Sequence, residues 1–274
     1  MKFKKFFVSV LILLIGGCLL CACQSSDSQK KVEEKSALPE LKIGVDTLKP
    51  YFFTDENGDY AGIDAEIATE ACNRAGYKPV FVEINWNNKD TCLKDGTVDC
   101  LWNAFAKNGR EKLYRWTDTY LQSSLRIIVD TRSPDKDLNS IRGRSSVAVR
   151  SGSKAEEVLL ENSNNKKNLL DVYSCGTFEM AETAFVKGYA GALCCHEAVL
   201  EQVISNYPGL FRFLDGKIQD IDLGVAFSKK DTSDKCEKIN AALNEMKKDG
   251  TISDISAKYH SNVSDFEGKV NKHD

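Results

Sequence analysis

Between residues 41 and 250, apolar residues recur at two spacings, one typical of strands and one typical of helices. Short apolar runs at residues 41–45, 79–84 and 98–102 predict buried strands. A helix is predicted between the first two runs, because these apolar residues share one helical face: Ile63, Ile67, Ala68, Ala71 and Ala75. Gly76 predicts the end of that helix. The alternation of strands and helices predicts an α/β fold, with a parallel sheet covered by helices on both faces.

The rest of the chain repeats the alternation. Apolar runs predict four further strands, at residues 121–129, 147–149, 192–195 and 224–227. Ser153 and Glu156 have the spacing of a capping box, which predicts a helix that begins there and runs to about residue 161. With 274 residues, the chain is long enough for one large domain or two modest domains with real cores.

One arginine occupies a position suited to ligand binding. Residues 103–109 form a short loop after the strand at 98–102, and Arg110 follows that loop. Ligands of open α/β sheets bind outside the carboxyl ends of the strands. A guanidinium binds a carboxylate in bidentate fashion and stays charged at every working pH. Arg110 is therefore a candidate carboxylate ligand, and the alternative is an exposed surface arginine paired with Glu111.

The first residues have the pattern of a signal peptide. A basic start precedes an apolar run over residues 6–20, which is shorter than a membrane-spanning helix. Ala22 then precedes Cys23, and polar residues follow, so the segment resembles a bacterial lipoprotein signal. That resemblance implies a signal peptide over residues 1–22 and a lipid anchor, including palmitate, on Cys23. Cys18 is a weaker second candidate, and an uncleaved anchor is the alternative.

Charge limits the choice of partners. Residues 23–39 are polar and charged, which predicts a flexible tether between the membrane and the folded part. The whole chain has a formal net charge of −3. Loss of residues 1–22 removes three lysines and no acidic residue, so the net charge becomes −6. This balance argues against nucleic acid as a partner.

Ten cysteines do not indicate a disulfide framework. Three lie within residues 1–23, and the remaining seven cannot all pair. Most of them lie in apolar patterns, so we expect buried, reduced thiols, while a bond between Cys92 and Cys100 stays open. Cys194 and Cys195 are adjacent in a predicted strand and point to opposite faces, so they cannot bind one tetrahedral ion. We predict no metal site, no cofactor and no cysteine-protease arrangement.

Several short segments, in order, resemble the polar-amino-acid family of extracellular solute-binding proteins, which are the receptors of ABC importers. They cover residues 41–46, 50–52, 55–64, 96–99, 110–111, 116–120, 147–153, 222–229 and 248–252. The resemblance implies a two-lobe, periplasmic-binding-protein-like fold whose lobes close over a ligand through a hinge of two crossing segments. The implied boundaries are residues 40–130 for the first part of lobe 1, 131–221 for lobe 2 and 222–274 for the return to lobe 1. The crossings are expected near residues 129–132 and 219–222.

The resemblance also implies roles for individual residues. Arg110 would bind the α-carboxylate of the ligand, with help from the loop of Ser151 and Ser153. Asn103 and Phe105 would supply hydrogen bonds, Phe105 only from its backbone. The remaining implied contacts are Trp86 and Trp102 against the ligand, although Trp102 is equally a core residue, and Asp46 on a polar ligand side chain, although Asp46 can equally cap a turn.

Two positions depart from the family pattern. Leu48 stands where the family has an aromatic residue, so one wall of the aromatic clamp is missing or comes from Tyr51 or Trp102. His196 stands where the family has an acid that binds the α-ammonium group. Glu197 can replace that acid, or neutral His196 can accept one hydrogen bond, or the alignment is shifted by one residue.

The sequence therefore predicts a monomeric, lipid-anchored receptor on the extracytoplasmic face of the cell membrane. It would capture a small polar solute, most simply an amino acid, and deliver it to an ABC permease without catalysis. The alternatives are a dehydratase-like enzyme on the same fold, with His196 or Glu197 as general acid or base, and a ligand-sensing domain.

Overall fold

The computed structural model describes residues 38–141, 143, 145–164 and 170–259. Its strands are β1 Glu40–Val45, β2 Phe53–Thr54, β3 Tyr60–Ala61, β4 Lys78–Glu83, β5 Cys100–Leu101, β6 Arg115–Trp116, β7 Leu121–Asp130, β8 Ser146–Arg150, β9 Asp171–Cys175, β10 Ala192–His196, β11 Phe211–Phe213, β12 Gln219–Leu223 and β13 Ala226–Phe227. Its α-helices are α1 Ile63–Ala75, α2 Lys89–Lys94, α3 Leu138–Ile141, α4 Lys154–Asn164, α5 Phe178–Val186, α6 Glu197–Asn206, α7 Lys235–Lys248 and α8 Thr251–Tyr259. The predicted signal peptide and most of the predicted tether lie outside the described residues.

Two separate sheets divide this part of the chain into two lobes. The lobe 1 sheet has the strand order β4-β1-β5-β13-β6, and β1 is parallel to both β4 and β5. The lobe 2 sheet has the order β11-β7-β10-β8-β9, with β12 also paired to β7, and β8 is parallel to β9 and β10. The predicted two-lobe α/β fold is confirmed.

The apolar pattern explains why lobe 1 folds as it does. Leu41, Ile43 and Val45 of β1 are buried. Most of the predicted face of α1 is buried as well, and Ala75 at its end is half-buried. The helix ends at Gly76, whose φ of 77° is left-handed. Towards the C-terminus, α7 buries Ile239, Leu243 and Met246, whose spacing is that of one helical face, and it packs against α1. The C-terminal segment therefore returns to lobe 1.

The first connection between the lobes lies earlier than the sequence suggests. The chain leaves the lobe 1 sheet after β6 and enters the lobe 2 sheet at Leu121, the first residue of β7. All of β7 is paired in lobe 2, because its start pairs with β12 and its end pairs with β10 and β11. The return runs between β12 and β13, through Gly224 and Val225. The two connections between the lobes therefore lie at residues 117–120 and 224–225.

Strand direction brings the candidate residues together. The parallel strands of both lobes end at the space between the lobes: Asp46 follows β1, the loop to Arg110 follows β5, Arg150 ends β8 and His196 ends β10. This is the edge at which α/β sheets bind ligands. Of the helices within the described ranges, none combines the length and the hydropathy needed to cross a membrane.

Candidate functional site

A small cavity lies between the two lobes. Its walls come from both lobes: Trp86, Ala104, Phe105, Ala106 and Arg110 of lobe 1, and Leu125, Arg150, Ser153, Lys154, Ala155, Cys194, Cys195 and His196 of lobe 2. The volume in which the centre of a water molecule fits inside the cavity is about 20 Å³. This is room for about one water. In this closed arrangement, a solute of amino-acid size enters only if the lobes separate.

Arg110 lies in the wall of this cavity and is 7% exposed. Its Nη2 and Nε lie 2.8 and 3.1 Å from Oε2 of Glu157, which belongs to α4 of lobe 2. Glu111, the expected surface partner, instead accepts a hydrogen bond from the backbone N–H of Gly109. Arg110 is therefore a buried cation paired across the cleft.

Aromatic rings support the Arg110 guanidinium. The Arg110 Cζ lies 5.2 Å from the centre of the Phe105 ring. Phe105 packs in turn against Trp86, Tyr114 and Trp116, with ring centres 5.1–5.3 Å apart. The indole N–H of Trp116 donates to the Arg110 carbonyl at 3.1 Å. This cluster fixes both the backbone and the side chain of Arg110.

The loop before Arg110 is held by a buried carboxylate. Ala104 has a φ of 48°, which is uncommon for a residue with a side chain. Its backbone N–H donates to Asp64 Oδ2 at 2.6 Å, and the Tyr120 hydroxyl donates to Asp64 Oδ1 at 2.7 Å. Burial raises the pKa of Asp64 to about 6, although both hydrogen bonds oppose this shift. Asp64 therefore stabilises the left-handed turn that places Phe105 and Arg110.

Asn103, which precedes this turn, is fully buried. Within the described part of the chain, neither polar atom of its side chain has a hydrogen-bond partner. An unsatisfied buried amide costs about 1–3 kcal/mol. Such groups are rare in native structures and call for an explanation, such as a bound ligand or water.

A second buried arginine faces the cavity from lobe 2. Arg150 is 6% exposed, and its Cζ lies 5.0 Å from the centre of the Trp86 ring. Its Nη1 lies 2.9 Å from Oδ2 of Asp46 in lobe 1. Burial raises the pKa of Asp46, and the charge of Arg150 offsets part of that rise. Asp46, expected on a ligand side chain, is thus paired with a protein cation.

The N-terminal turn of α4 contributes further groups. The Ser153 hydroxyl accepts a hydrogen bond from the Glu156 N–H at 3.2 Å, as the capping signature predicts. Glu156 reaches back to the N–H of Gly152 at 2.7 Å. Gly152 has a φ of 70°, and a Cβ atom there would lie 3.1 Å from Asn87 Oδ1 of lobe 1. Gly152 thus permits the close approach of the lobes.

Two charged residues of α2 and α4 complete the surroundings. Lys154 Nζ lies 2.5 Å from Glu157 Oε1, so Glu157 binds both Lys154 and Arg110. Burial raises the pKa of Glu157, but these two cations outweigh burial and the net shift is downward. Lys89, at the start of α2, is also buried. Burial lowers its pKa, and repulsion from Arg110 and Arg150 adds to that effect against the attraction of Asp90.

His196 lies in the cavity wall as an uncharged imidazole. Its Nδ1 lies 3.0 Å from the Ser123 hydroxyl, and its ring meets Tyr51 edge to face at 5.7 Å. Burial lowers the pKa of His196 to about 3, with repulsion from Arg150 and Arg110 as further causes. A neutral imidazole cannot pair with an ammonium group as a carboxylate does.

Glu197 points to other partners. It accepts hydrogen bonds from the Ser124 hydroxyl at 2.7 Å and from Arg126 Nη1 at 2.6 Å. Burial raises its pKa, but these partners outweigh burial and the net shift is downward. Glu197 is thus an ionised residue held in an ion pair within lobe 2.

The cavity thiols are free and protonated. The cysteines among the described residues, including Cys92 and Cys100, form no disulfide bonds. Burial raises the pKa of Cys195 to about 11, against the opposing charge of Arg150. No group of three or more His, Cys, Asp or Glu able to hold a metal ion occurs in the described ranges.

The structure brings together some predicted residues and separates others. Trp86, Phe105, Arg110, Ser153 and His196 line the cavity. Ser151 lies in the same loop as Ser153, and its N–H donates to the Cys175 carbonyl. Trp102 packs in the core, 5.7 Å from the Tyr120 ring.

Sequence reasoning missed four charged residues of the site: Lys89, Arg150, Lys154 and Glu157. Arg150 could have been found, because it directly follows the predicted strand at residues 147–149 of the second lobe, just as the loop to Arg110 follows a predicted strand of the first lobe. Glu157 gives no local signal, because its partner Arg110 lies 47 positions away in the chain.

Comparison with known proteins shows the family of this chain. The family model for bacterial extracellular solute-binding proteins, family 3, matches residues 41–262. The chain is similar to a probable amino-acid-binding protein, YxeM, of Bacillus subtilis, with 25% identity over 94% of this chain and 96% of the relative. It is 26% identical to the L-cystine-binding protein TcyA of the same organism, over 91% of this chain and 95% of the relative.

A solved structure with a similar fold is an ancestral arginine-binding protein bound to arginine. Its TM-score is 0.74 at 26% identity, and the match covers 81% of this chain and 98% of that chain. Both curated relatives and this structure match over most of their length, so the likeness extends to both lobes.

Proposed function

Because this chain belongs to the bacterial extracellular solute-binding proteins of family 3, we propose that it captures an amino acid between its lobes and delivers it to an ABC permease. The family places the protein outside the cytoplasm. The relatives that bind amino acids support this class of ligand.

The observation that carries the proposal is the state of Arg110. Its guanidinium is buried, faces the cavity, and already binds a carboxylate in the form of Glu157. A buried guanidinium needs an anionic partner. The α-carboxylate of an amino acid fits the same donors, and Ser153 and the N-terminal turn of α4 lie in the same cavity wall.

Binding requires the lobes to open. Among the described residues, two ion pairs join them, Arg110 to Glu157 and Arg150 to Asp46. The ligand would displace at least the first of these pairs and then be enclosed as the lobes close about the two connections. This is a hinge motion, in which a few residues absorb the change in backbone angles.

We further propose that Cys23 anchors the receptor to the membrane through lipid and that the receptor acts as a monomer. The support is the order of basic, apolar and small residues before Cys23. A catalytic role has less support, because the curated relatives are binding proteins and Glu197 is held by Arg126.

Calorimetric titration tests the proposal. The full chain, solubilised in detergent and stripped of copurified ligand, is titrated with the twenty common amino acids, L-ornithine and L-cystine. We expect saturable binding of one or a few of these at micromolar affinity or tighter. Absence of binding across the panel would contradict the proposal and favour the enzyme or sensor alternatives.

A further inference from the structure

The cavity wall is rich in positive charge. Arg110, Arg150 and Lys154 line it, and buried Lys89 lies beside the loop of Gly152. Among the described residues that line the cavity, none is a carboxylate. Glu157 pairs with Arg110 and Lys154, and Asp46 pairs with Arg150, but neither acid is among the residues that line the cavity.

The two arginines have the same surroundings. Each is less than 8% exposed, and each guanidinium lies about 5 Å from an aromatic ring centre, Phe105 for Arg110 and Trp86 for Arg150. Each binds one carboxylate of the opposite lobe, at 2.8 Å for Arg110 and 2.9 Å for Arg150. The cavity therefore has two arginines in similar surroundings, one on each lobe, and each of them already binds a carboxylate.

The charges around the cavity limit which charged groups a ligand can carry. His196 is neutral, and Glu197 is bound to Arg126, so neither offers a carboxylate to an ammonium group in the cavity. An ammonium group could recruit Asp46, but Arg150 would then be a buried cation without its partner. Such a cation is strongly unfavourable unless another anion replaces the one it lost.

We propose that the ligand carries two acidic groups, one bound by Arg110 and the other by Arg150. This inference rests on the proposed function, since it places the ligand in the same cavity. The shared chemistry is that of a small dicarboxylate. Such a ligand is either an acidic amino acid, whose ammonium group would take Asp46, or a dicarboxylate without an amino group, which would need no acid from the protein.

Matched acid and amide pairs test the inference. The full chain in detergent is titrated with L-glutamate, L-glutamine, L-aspartate, L-asparagine, glutarate and succinate. We expect L-glutamate or L-aspartate to bind about 100-fold tighter than its amide, because the ammonium group of the amide takes Asp46 and its side chain offers Arg150 no anion in return. Preference for glutarate or succinate over the amino acids would support the second acidic group and contradict an amino acid as the ligand.

The failure of this inference differs from the failure of the proposed function. If a neutral or basic amino acid binds as tightly as any dicarboxylate, the receptor role stands and the second acidic group is refuted. If neither these six compounds nor the wider amino-acid panel bind, both are refuted.

Variants of Arg150 test whether this residue binds the second acidic group of the ligand. R150Q is expected to lose the preference for acid over amide, because the amide no longer leaves a buried cation unpaired, and R150K to retain part of the preference. R132Q is the matched control, because Arg132 is exposed and pairs only with Asp130 among the described residues. If R150Q folds, as its circular dichroism would show, and keeps the full preference, Arg150 does not bind the ligand and the inference fails.

Discussion

Arg110 of lobe 1 and Glu157 of lobe 2 form an ion pair across the cleft, with Nη2 and Oε2 2.8 Å apart. The protein thus supplies its own carboxylate to the guanidinium that we propose binds the carboxylate of the ligand. Lys154 holds the other oxygen of Glu157 at 2.5 Å. Because both contacts are partly buried, salt screens them less than it screens a surface pair.

Replacement of this internal carboxylate is expected to strengthen ligand binding. In E157Q the charge that competes for Arg110 is lost, while the size of the side chain is kept. We expect affinity for the tightest-binding amino acid of the panel to rise about tenfold, which corresponds to about 1.4 kcal/mol. Isothermal titration calorimetry measures the change.

E161Q is the matched control for this variant. Glu161 lies on the same helix, α4, and is exposed. Its substitution removes the same charge without any effect on Arg110, so affinity should stay within twofold. A lower affinity of E157Q for the ligand would mean that Glu157 orients Arg110 for binding and does not compete with the ligand.

Much of the fold follows from local patterns in the sequence. The strand over residues 41–45 corresponds to β1, and the helical face of residues 63–75 is buried as α1. Such patterns report burial within one element. The first lobe crossing was misplaced because β7 is one continuous strand, and its pairing with β10 and β12 depends on distant residues.

The site was less predictable than the fold. Arg110 could be singled out, because it follows a strand end at the edge where ligands bind. The pairs of Arg110 with Glu157 and of Arg150 with Asp46 could not be predicted, since each joins two lobes over 47 and 104 positions of the chain. No local spacing records such a contact.

Burial of neutral His196 predicts a loss of stability in acid. Its pKa is about 3 in the folded protein and about 6.5 in the unfolded chain, so only the unfolded chain takes up a proton as pH falls below about 6.5. The free energy of unfolding should therefore fall by about 2 kcal/mol from pH 7 to pH 5 because of this group.

The variant H196Q isolates this contribution, because glutamine keeps a hydrogen-bonding group near Ser123 and does not titrate. Urea unfolding at pH 7 and at pH 5 measures it. H196Q should lose about 2 kcal/mol less than the unaltered chain over this interval. Equal losses in both proteins would show that His196 is not held neutral by the fold.

The contact between Tyr120 and Asp64 predicts a second effect on stability. In Y120F, Asp64 Oδ1 loses the hydroxyl that lies 2.7 Å away and stays buried. We expect the free energy of unfolding to fall by about 1–3 kcal/mol. Y189F is the control, because Tyr189 is exposed. Urea unfolding should give Y189F the same free energy of unfolding as the unaltered chain. Equal stability of the two variants would mean that Asp64 gains nothing from Tyr120.

Membrane attachment is predicted from the N-terminal residues alone, which lie outside the described part of the chain. C23S should move the protein from the membrane fraction to the soluble fraction, since a covalent lipid would no longer form. Fractionation followed by immunoblotting measures this shift. C18S should remain with the membrane. Retention of C23S together with release of C18S would assign the anchor to Cys18.

The most direct test of the account is the affinity of R110A for the amino acid that the unaltered chain binds most tightly. R132A is the control, because Arg132 has an 88% exposed side chain and lies near the end of β7 remote from His196. We predict that R110A, still folded by circular dichroism, loses more than tenfold in affinity, or about 1.4 kcal/mol, while R132A does not change. Affinity of R110A within tenfold of the unaltered chain would contradict the assignment of Arg110 to the ligand carboxylate.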